Sequence, residues 1–139
     1  MLKTATLTLE TLEPSGLRFG CAVDNVQFTL DSGAGVTSPS PVQALLCAAG
    51  ACTGMDVISI LRKKRQAVTG YQIALEGVRR DEHPRGFTAI TMVHQFRGTD
   101  LSADAIDEAI RLSVDKYCSV VATLRPGVAV TSRFEILPA

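Results

Sequence analysis

The longest apolar segment of this chain lies between residues 40 and 66 and reads SPVQALLCAAGACTGMDVISILRKKRQ. Ser40 suits the N-cap of a helix and Pro41 its first position, whereas Lys63 to Arg65 place positive charge where the helix dipole favours it. Between these ends, apolar residues cover every face. A helix that is apolar all round is normally enclosed, so the segment predicts a long, buried central helix.

A membrane span is the alternative interpretation of this helix, because about 20 apolar residues are enough to cross a bilayer. Asp56 near its middle would cost roughly 2.5–3.5 kcal/mol in lipid. Gln43, Thr53 and Ser59 add further polar groups, and the flanking sequence has the β patterning of a globular protein. We therefore predict a soluble protein without a membrane partner.

Segments typical of β-strands flank the helix on both sides. Alternating or β-rich patterns occur over residues 2–10, 17–31, 71–78, 87–96 and 128–137. Residues 13–16 have the composition of a turn, residues 31–35 that of a loop, and residues 81–86 that of a hairpin turn.

A second, amphipathic helix begins after Ser102, is interrupted at Cys118-Ser119 and stops at Pro126-Gly127. The strands come in runs and show no alternation with helices of the kind that builds parallel sheets. The order of elements therefore predicts an α+β fold, with antiparallel sheets packed around the central helix, in a single domain over residues 1–139.

The chain is electrically balanced, with 14 Lys plus Arg and 14 Asp plus Glu. No basic excess is available to bind a nucleic acid by counterion release or to hold an anionic membrane surface. The first ten residues alternate like a strand and do not form the apolar core of a secretory signal. Four cysteines in such a chain predict a reducing compartment, the cytoplasm.

Several common catalytic motifs are absent from the sequence. Its two histidines, His83 and His94, are not part of a CxxC, HxxxH or HExxH pattern, so we expect no metal site. No G-x-S-x-G elbow, Walker A loop or G-x-G-x-x-G loop occurs, and we expect no cofactor. The remaining candidates for chemistry are the thiols.

Two of the four cysteines are interpreted as structural. Cys21 lies in a strand-like run and Cys47 in the central helix, about 140° around the helix from Cys52 at ~100° per residue. Because free cysteine is commonly buried, we predict that Cys21 and Cys47 are small core residues.

Gly50 and Gly54 lie on one face of the helix, on either side of Cys52. Such a pair provides room for a neighbouring element of the same chain, or for a close helix–helix contact across a dimer axis. The two interpretations have equal support from the sequence.

The run from Ser40 to Cys52 resembles the signature of the OsmC/Ohr family of osmotically inducible and organic hydroperoxide resistance proteins: Ser-Pro, a helix of small and aliphatic residues, then cysteine. Residues 116–120, Lys-Tyr-Cys-Ser-Val, resemble the second cysteine segment of that family. The order of elements agrees from about residue 3 to residue 137. The continuation after Cys52 is similar to a less characterised, OsmC-like branch.

The resemblance implies an OsmC-like fold, an intertwined homodimer and a peroxidase. Cys52 would attack a small hydrophobic hydroperoxide and become a sulfenic acid, and Cys118 would resolve it to a disulfide. A dithiol reductant of the lipoyl type would then restore both thiols. Only a thiolate is a good nucleophile, and a resolving cysteine prevents over-oxidation.

The chain departs from the family pattern in two places. Well-studied members carry a glutamate just after Ser-Pro that holds an arginine against the thiolate, and Val42 stands at that position here. Arg18 is the candidate for the arginine in the early strands, with Arg79 and Arg80 as alternatives. Asp56, one turn beyond Cys52, either holds an arginine in place of the glutamate or is a structural carboxylate.

Three functions therefore remain open from the sequence. The first is the cysteine peroxidase, with Cys52, Cys118 and Arg18 as its catalytic residues. The second is a non-catalytic protein that binds a small ligand in an apolar cavity, which the loss of the glutamate at Val42 favours. The third is a redox-responsive protein whose Cys52–Cys118 disulfide alters its surface.

Overall fold

A computed structural model of the chain describes residues 1–11, 15–32 and 36–139. The turn predicted at residues 13–16 and the loop predicted at 31–35 fall partly outside these ranges. The described residues form two compact units, Met1–Leu45 and Leu46–Ala139. The structure is of the α+β class, as predicted, with a long helix and two three-stranded sheets.

The N-terminal unit contains an antiparallel sheet of β1 (Thr6–Leu9), β2 (Phe19–Val23) and β3 (Val26–Leu30), in that order. Asp24 has a φ of 52° in the tight turn that joins β2 to β3, a conformation that aspartate tolerates better than most residues. Cys21 lies in the middle strand and is 4% exposed, which confirms its interpretation as a small core residue.

Helix α1 (Pro41–Lys63) begins and ends where local sequence signals predict. The Ser40 hydroxyl accepts a hydrogen bond from the Gln43 amide at 3.1 Å, and the Gln43 side chain accepts one from the Ser40 amide at 2.9 Å. This reciprocal capping box satisfies amides that the helix leaves unpaired. At the other end, Arg65 has a φ of 58° and the Gln66 amide bonds to the Leu61 carbonyl at 3.0 Å. These bonds are those of a Schellman stop.

The C-terminal unit is built on a sheet of β4 (Ala67–Arg79), β5 (Phe87–Thr99) and β6 (Ala129–Ile136). β4 and β5 form the predicted antiparallel hairpin. β6 pairs with β5 in parallel, so the prediction of purely antiparallel sheets is wrong for this strand. The parallel pairing is possible because β5 and β6 are connected by a helical crossover. This crossover is long enough to return the chain to the end of the sheet at which β5 starts.

This crossover consists of α2 (Ala103–Leu112), a π-helical turn (Ser113–Tyr117) and α3 (Ser119–Leu124). Ser102 caps α2 as predicted, accepting a hydrogen bond from the Ala105 amide at 3.2 Å. The predicted interruption at Cys118 is also present, and Cys118 is the residue between the π-helical turn and α3.

α1 is a core helix, as predicted, but in the described chain only one of its faces is buried. The buried residues of this face are Ala49, Gly50, Thr53, Gly54, Val57 and Leu61. Val57 and Leu61 pack with Phe96 of β5 and with the apolar face of α2. By length and composition α1 could also cross a bilayer, a property that it shares with the core helices of soluble proteins.

The glycine pair of α1 gives space to β4. A Cβ atom at Gly50 would lie 2.7 Å from Leu75 Cδ1, and one at Gly54 would lie 2.8 Å from Ile73 Cδ1. Both distances are too short for real contacts. Within the C-terminal unit, the neighbour that needs this room is therefore a strand of the same chain, the first of the two interpretations.

Candidate functional site

The fold brings Cys52 and Cys118 together inside the C-terminal unit. Cys52 packs against the core cluster that contains Cys118, and the neighbouring Cys52 side chain helps to raise the pKa of the Cys118 thiol. Neither cysteine is in a disulfide; Cys118 is buried and Cys52 is partly exposed. Because α1 carries one and the crossover carries the other, this contact depends on tertiary packing. The family resemblance predicts Cys118 as the partner of Cys52, and Cys118 is the cysteine that lies beside it.

Cys118 is 2% exposed and caps the N-terminus of α3. Its sulfur accepts a hydrogen bond from the Val121 amide at 3.4 Å and another from the Thr53 hydroxyl at 3.4 Å. Burial raises the pKa of the Cys118 thiol, the two hydrogen bonds oppose this rise, and the neighbouring Cys52 sulfur adds to it. The net pKa is raised, so the Cys118 thiol is protonated at neutral pH.

Asp56, one turn beyond Cys52 on α1, forms a second polar contact with the crossover. The Ser113 hydroxyl donates to Asp56 Oδ2 at 2.8 Å and lies 3.5 Å from the Thr53 carbonyl oxygen. Thr53 and Ser113 are both fully buried. Within residues 46–139, the side-chain partner of Asp56 is thus a serine and not an arginine. This contact agrees with the interpretation of Asp56 as a structural carboxylate.

The candidate arginines occupy different parts of the structure. Arg18 lies in the N-terminal unit, where its Nε is 3.3 Å from Glu10 Oε2. Arg79 donates to the Arg85 carbonyl at 2.7 Å, at the exposed end of the β4–β5 hairpin. Within residues 46–139, no arginine side chain hydrogen-bonds to either thiol of the pair. The catalytic role of Arg18 stays a prediction.

Cys47 is exposed, so its prediction as a core residue is wrong for the described chain. It lies on a side of α1 that is about 140° around the helix from Cys52, at ~100° per residue. There it lines an apolar groove of about 470 Å³ between α1 and β4. We call this the α1–β4 groove, and its other lining residues are Gly50, Ala51, Gly54, Met55, Ile58, Tyr71, Ile73 and Leu75.

Tyr71, a lining residue of this groove, forms a polar pair with His94. His94 is fully buried, and its Nδ1 lies 2.7 Å from the Tyr71 hydroxyl. Burial lowers the pKa of His94 to about 4, and burial also raises the pKa of Tyr71. Both side chains are therefore neutral at pH 7. The alternation of β5, which places His94 on the same face as Ile90 and Met92, is the sequence signal that could have indicated this burial.

Sequence reasoning did not identify Thr53 and Ser113 as site residues. The available signals were weak: a threonine that follows the candidate nucleophile, and a serine just after α2 that continues its apolar face. In the part of the chain that the structure describes, no group of three His, Cys, Asp or Glu side chains could hold a metal ion.

The chain is similar to known proteins in sequence and in fold. The family model described as OsmC-like protein matches residues 32–133. Protein YhfA of Escherichia coli strain K12 is 40% identical over 125 residues, which cover 89% of this chain and 93% of that protein.

Two solved structures are similar over nearly the whole chain. A hypothetical protein from Aquifex aeolicus VF5 has a TM-score of 0.87 and 29% identity, over 100% of this chain and 98% of that one. The organic hydroperoxide resistance protein OhrB of Bacillus subtilis has a TM-score of 0.62 and 15% identity, over 97% and 98% of the two chains. The second likeness concerns the fold alone.

Proposed function

The chain belongs to the family of OsmC-like proteins, and on this premise we propose that it is a thiol-dependent peroxidase that reduces organic hydroperoxides. The observation that carries the proposal is the contact between the thiols of Cys52 and Cys118. A partly exposed thiol beside a buried, protonated one is the arrangement that a two-cysteine cycle requires.

The proposed cycle has three steps. The Cys52 thiolate attacks the O–O bond of the hydroperoxide, which leaves a sulfenic acid on Cys52 and releases an alkoxide that takes a proton from water and departs as the alcohol. Cys118 then attacks this sulfur, so that an S–S bond forms, the S–O bond breaks and water leaves with the Cys118 proton. A dithiol reductant of the lipoyl type reduces the disulfide by thiol–disulfide exchange. Both thiols are thereby regenerated.

Arg18 is proposed as the cation that stabilises the Cys52 thiolate, because a cationic neighbour favours the charged form of a thiol. Val42 leaves no carboxylate at the family position just after Ser-Pro, and Gln43 beside it is engaged in the helix cap. Glu10, which pairs with Arg18 in the N-terminal unit, is the carboxylate available to orient this arginine. OsmC-like proteins are soluble, and the cytoplasm is the proposed compartment.

We also propose that the protein acts as a homodimer in which a second copy covers the exposed apolar side of α1. Met55 on this side is 68% exposed and belongs to the apolar lining of the α1–β4 groove. The intertwined dimer should bury well over the ~2,000 Å² typical of obligate interfaces. Light scattering at micromolar concentration is expected to give twice the mass of the chain, and a stable monomer would contradict the proposal.

The disulfide provides the direct test of the peroxidase. One equivalent of an organic hydroperoxide added to the reduced protein is expected to yield a Cys52–Cys118 bond in peptide mass maps. The Cys118→Ser variant is expected to accumulate sulfenic and then sulfinic acid on Cys52, because no resolving thiol remains. A bridge that involves Cys21 or Cys47, or a Cys52 that excess hydroperoxide leaves unmodified, would rule out the two-cysteine cycle.

Binding of a small apolar ligand is the second candidate function, and the α1–β4 groove is the observation that favours it. Its volume of about 470 Å³ and its apolar lining fall within the range of small-molecule sites. In this alternative the cysteine pair is a redox-responsive element or a part of the core. Isothermal titration with apolar ligands, made on protein that shows no hydroperoxide consumption, would favour it.

A further inference from the structure

The Thr53 side chain makes a contact that a threonine inside a helix normally does not make. Buried threonines in helices usually donate to the carbonyl of the preceding turn. Thr53 is fully buried in α1, yet its hydroxyl donates to the Cys118 sulfur at 3.4 Å. Its single hydroxyl proton is therefore directed at one of the two thiols of the candidate site.

The Cys118 sulfur is held from two sides. Thr53 approaches it from α1, and the Val121 amide approaches it from the first turn of α3 at 3.4 Å. Both groups donate, so the proton of the Cys118 thiol is left free to be directed at Cys52, the third group in contact with it. Two donors on one sulfur also stabilise negative charge there whenever that proton leaves.

The segment that carries Cys118 is anchored to α1 as well. Ser113, the first residue of the π-helical turn, donates to Asp56 at 2.8 Å. The Cys118 amide bonds to the Ser113 carbonyl at 2.7 Å, which closes that turn. Asp56 and Thr53 lie three residues apart on α1 and thus on neighbouring parts of one face. The same face of α1 therefore fixes both ends of the turn.

We propose that Thr53 is a positioning residue for the resolving step: its hydroxyl holds the Cys118 sulfur against Cys52 and stabilises the negative charge that this sulfur acquires when its proton leaves. The assignment of a step rests on the proposed peroxidase function, whereas the contact itself does not. In the attack, the Cys118 sulfur bonds to the Cys52 sulfur, the S–O bond of the sulfenic acid breaks, and the Cys118 proton leaves with the hydroxide as water. Thr53 keeps its own proton throughout.

The test separates resolution from peroxide attack. Thr53→Val removes the hydroxyl and keeps the branched shape, so the fold should survive, which circular dichroism checks. Stopped-flow measurements of sulfenic acid formation should be unchanged. Closure of the Cys52–Cys118 disulfide should be slower by about ten-fold, the effect expected from the loss of one hydrogen bond to a charged group. Thr53→Ser should restore closure.

Thr123→Val is the matched control, because Thr123 is an exposed helical threonine whose hydroxyl donates to the Ser119 carbonyl and not to sulfur. This variant should close the disulfide at the rate of the unmodified protein. Equal closure rates in Thr53→Val and Thr123→Val, or slow closure in Thr53→Ser, would overturn the proposal.

A second measurement does not depend on peroxide. In a Cys52→Ser background, the Cβ chemical shift of labelled Cys118 reports its ionisation as the pH is raised. Thr53→Val should shift this titration to higher pH, because a donor to the thiolate has been lost. An unchanged titration would overturn the positioning role of Thr53. Hydroperoxide that fails to oxidise Cys52 would instead overturn the proposed function, and the titration would still decide the contribution of Thr53.

Discussion

Replacement of Cys52 by serine is expected to reduce the consumption of a bulky organic hydroperoxide, measured with a dithiol reductant, to the background rate. The loss should be on the order of a thousand-fold or more, as in other enzymes that lose their nucleophile. The physical reason is that a free thiol ionises near pH ~8.5 and yields a strong nucleophile. A serine hydroxyl stays protonated at every pH at which the protein is folded, and it cannot form a sulfenic acid.

Cys47→Ser is the matched control for this experiment. Both residues are cysteines of α1, but Cys47 is exposed in the α1–β4 groove, whereas Cys52 contacts Cys118. The Cys47 variant should therefore retain the consumption rate of the unmodified protein. Activity that survives in Cys52→Ser and disappears in Cys47→Ser would identify Cys47 as the nucleophile instead of Cys52.

The same assay examines Arg18. Arg18→Ala should slow both hydroperoxide consumption and alkylation of Cys52 by a neutral thiol reagent, since a cation that stabilises the thiolate has been removed. Arg79→Ala, at the exposed end of the hairpin, should leave both rates unchanged. The opposite result would move the proposed role from Arg18 to Arg79.

The second large effect concerns His94 and the dependence of stability on pH. Burial lowers the pKa of His94 in the folded protein to about 4, against roughly 6.5 for an unperturbed histidine. As the pH falls below ~6.5, the unfolded chain takes up a proton that the folded chain does not bind until about pH 4. The free energy of unfolding should therefore fall across this window, by roughly 3 kcal/mol in all, and this contribution should change little at lower pH.

Urea unfolding at a series of pH values and a fixed protein concentration measures this slope. His94→Gln should lose the decrease between about pH 6.5 and pH 4, because glutamine does not titrate. His83→Gln is the control: His83 lies in the exposed hairpin turn, so the slope should remain. A His94→Gln variant with the slope of the unmodified protein would show that other groups control acid unfolding.

Much of the candidate site can be predicted from the sequence because its two thiols lie in recognisable local contexts. Cys52 follows a Ser-Pro start and a run of small residues, and Cys118 stands where an amphipathic helix is interrupted. Thr53 and Ser113 could not be assigned in this way. Their importance comes from contacts with residues about sixty positions away, and no short-range pattern encodes such contacts.

The sequence by itself determined where α1 begins and ends, because both ends depend on residues that are close together in the chain. The start of α1 follows from the reciprocal hydrogen bonds of Ser40 and Gln43, and its stop from the left-handed turn at Arg65. These bonds span three to five residues, so they form wherever that sequence occurs.

Only the tertiary structure decided the direction of β6, the exposure of Cys47 and the hydrogen bonds of Cys118. The parallel pairing of β6 depends on where the crossover returns the chain. Cys47 and Cys52 have similar neighbours in sequence, yet one faces an open groove and the other packs against a buried thiol. Helical geometry sets the angle between two such side chains, but packing against a sheet and a second helix selects which of them is turned inward.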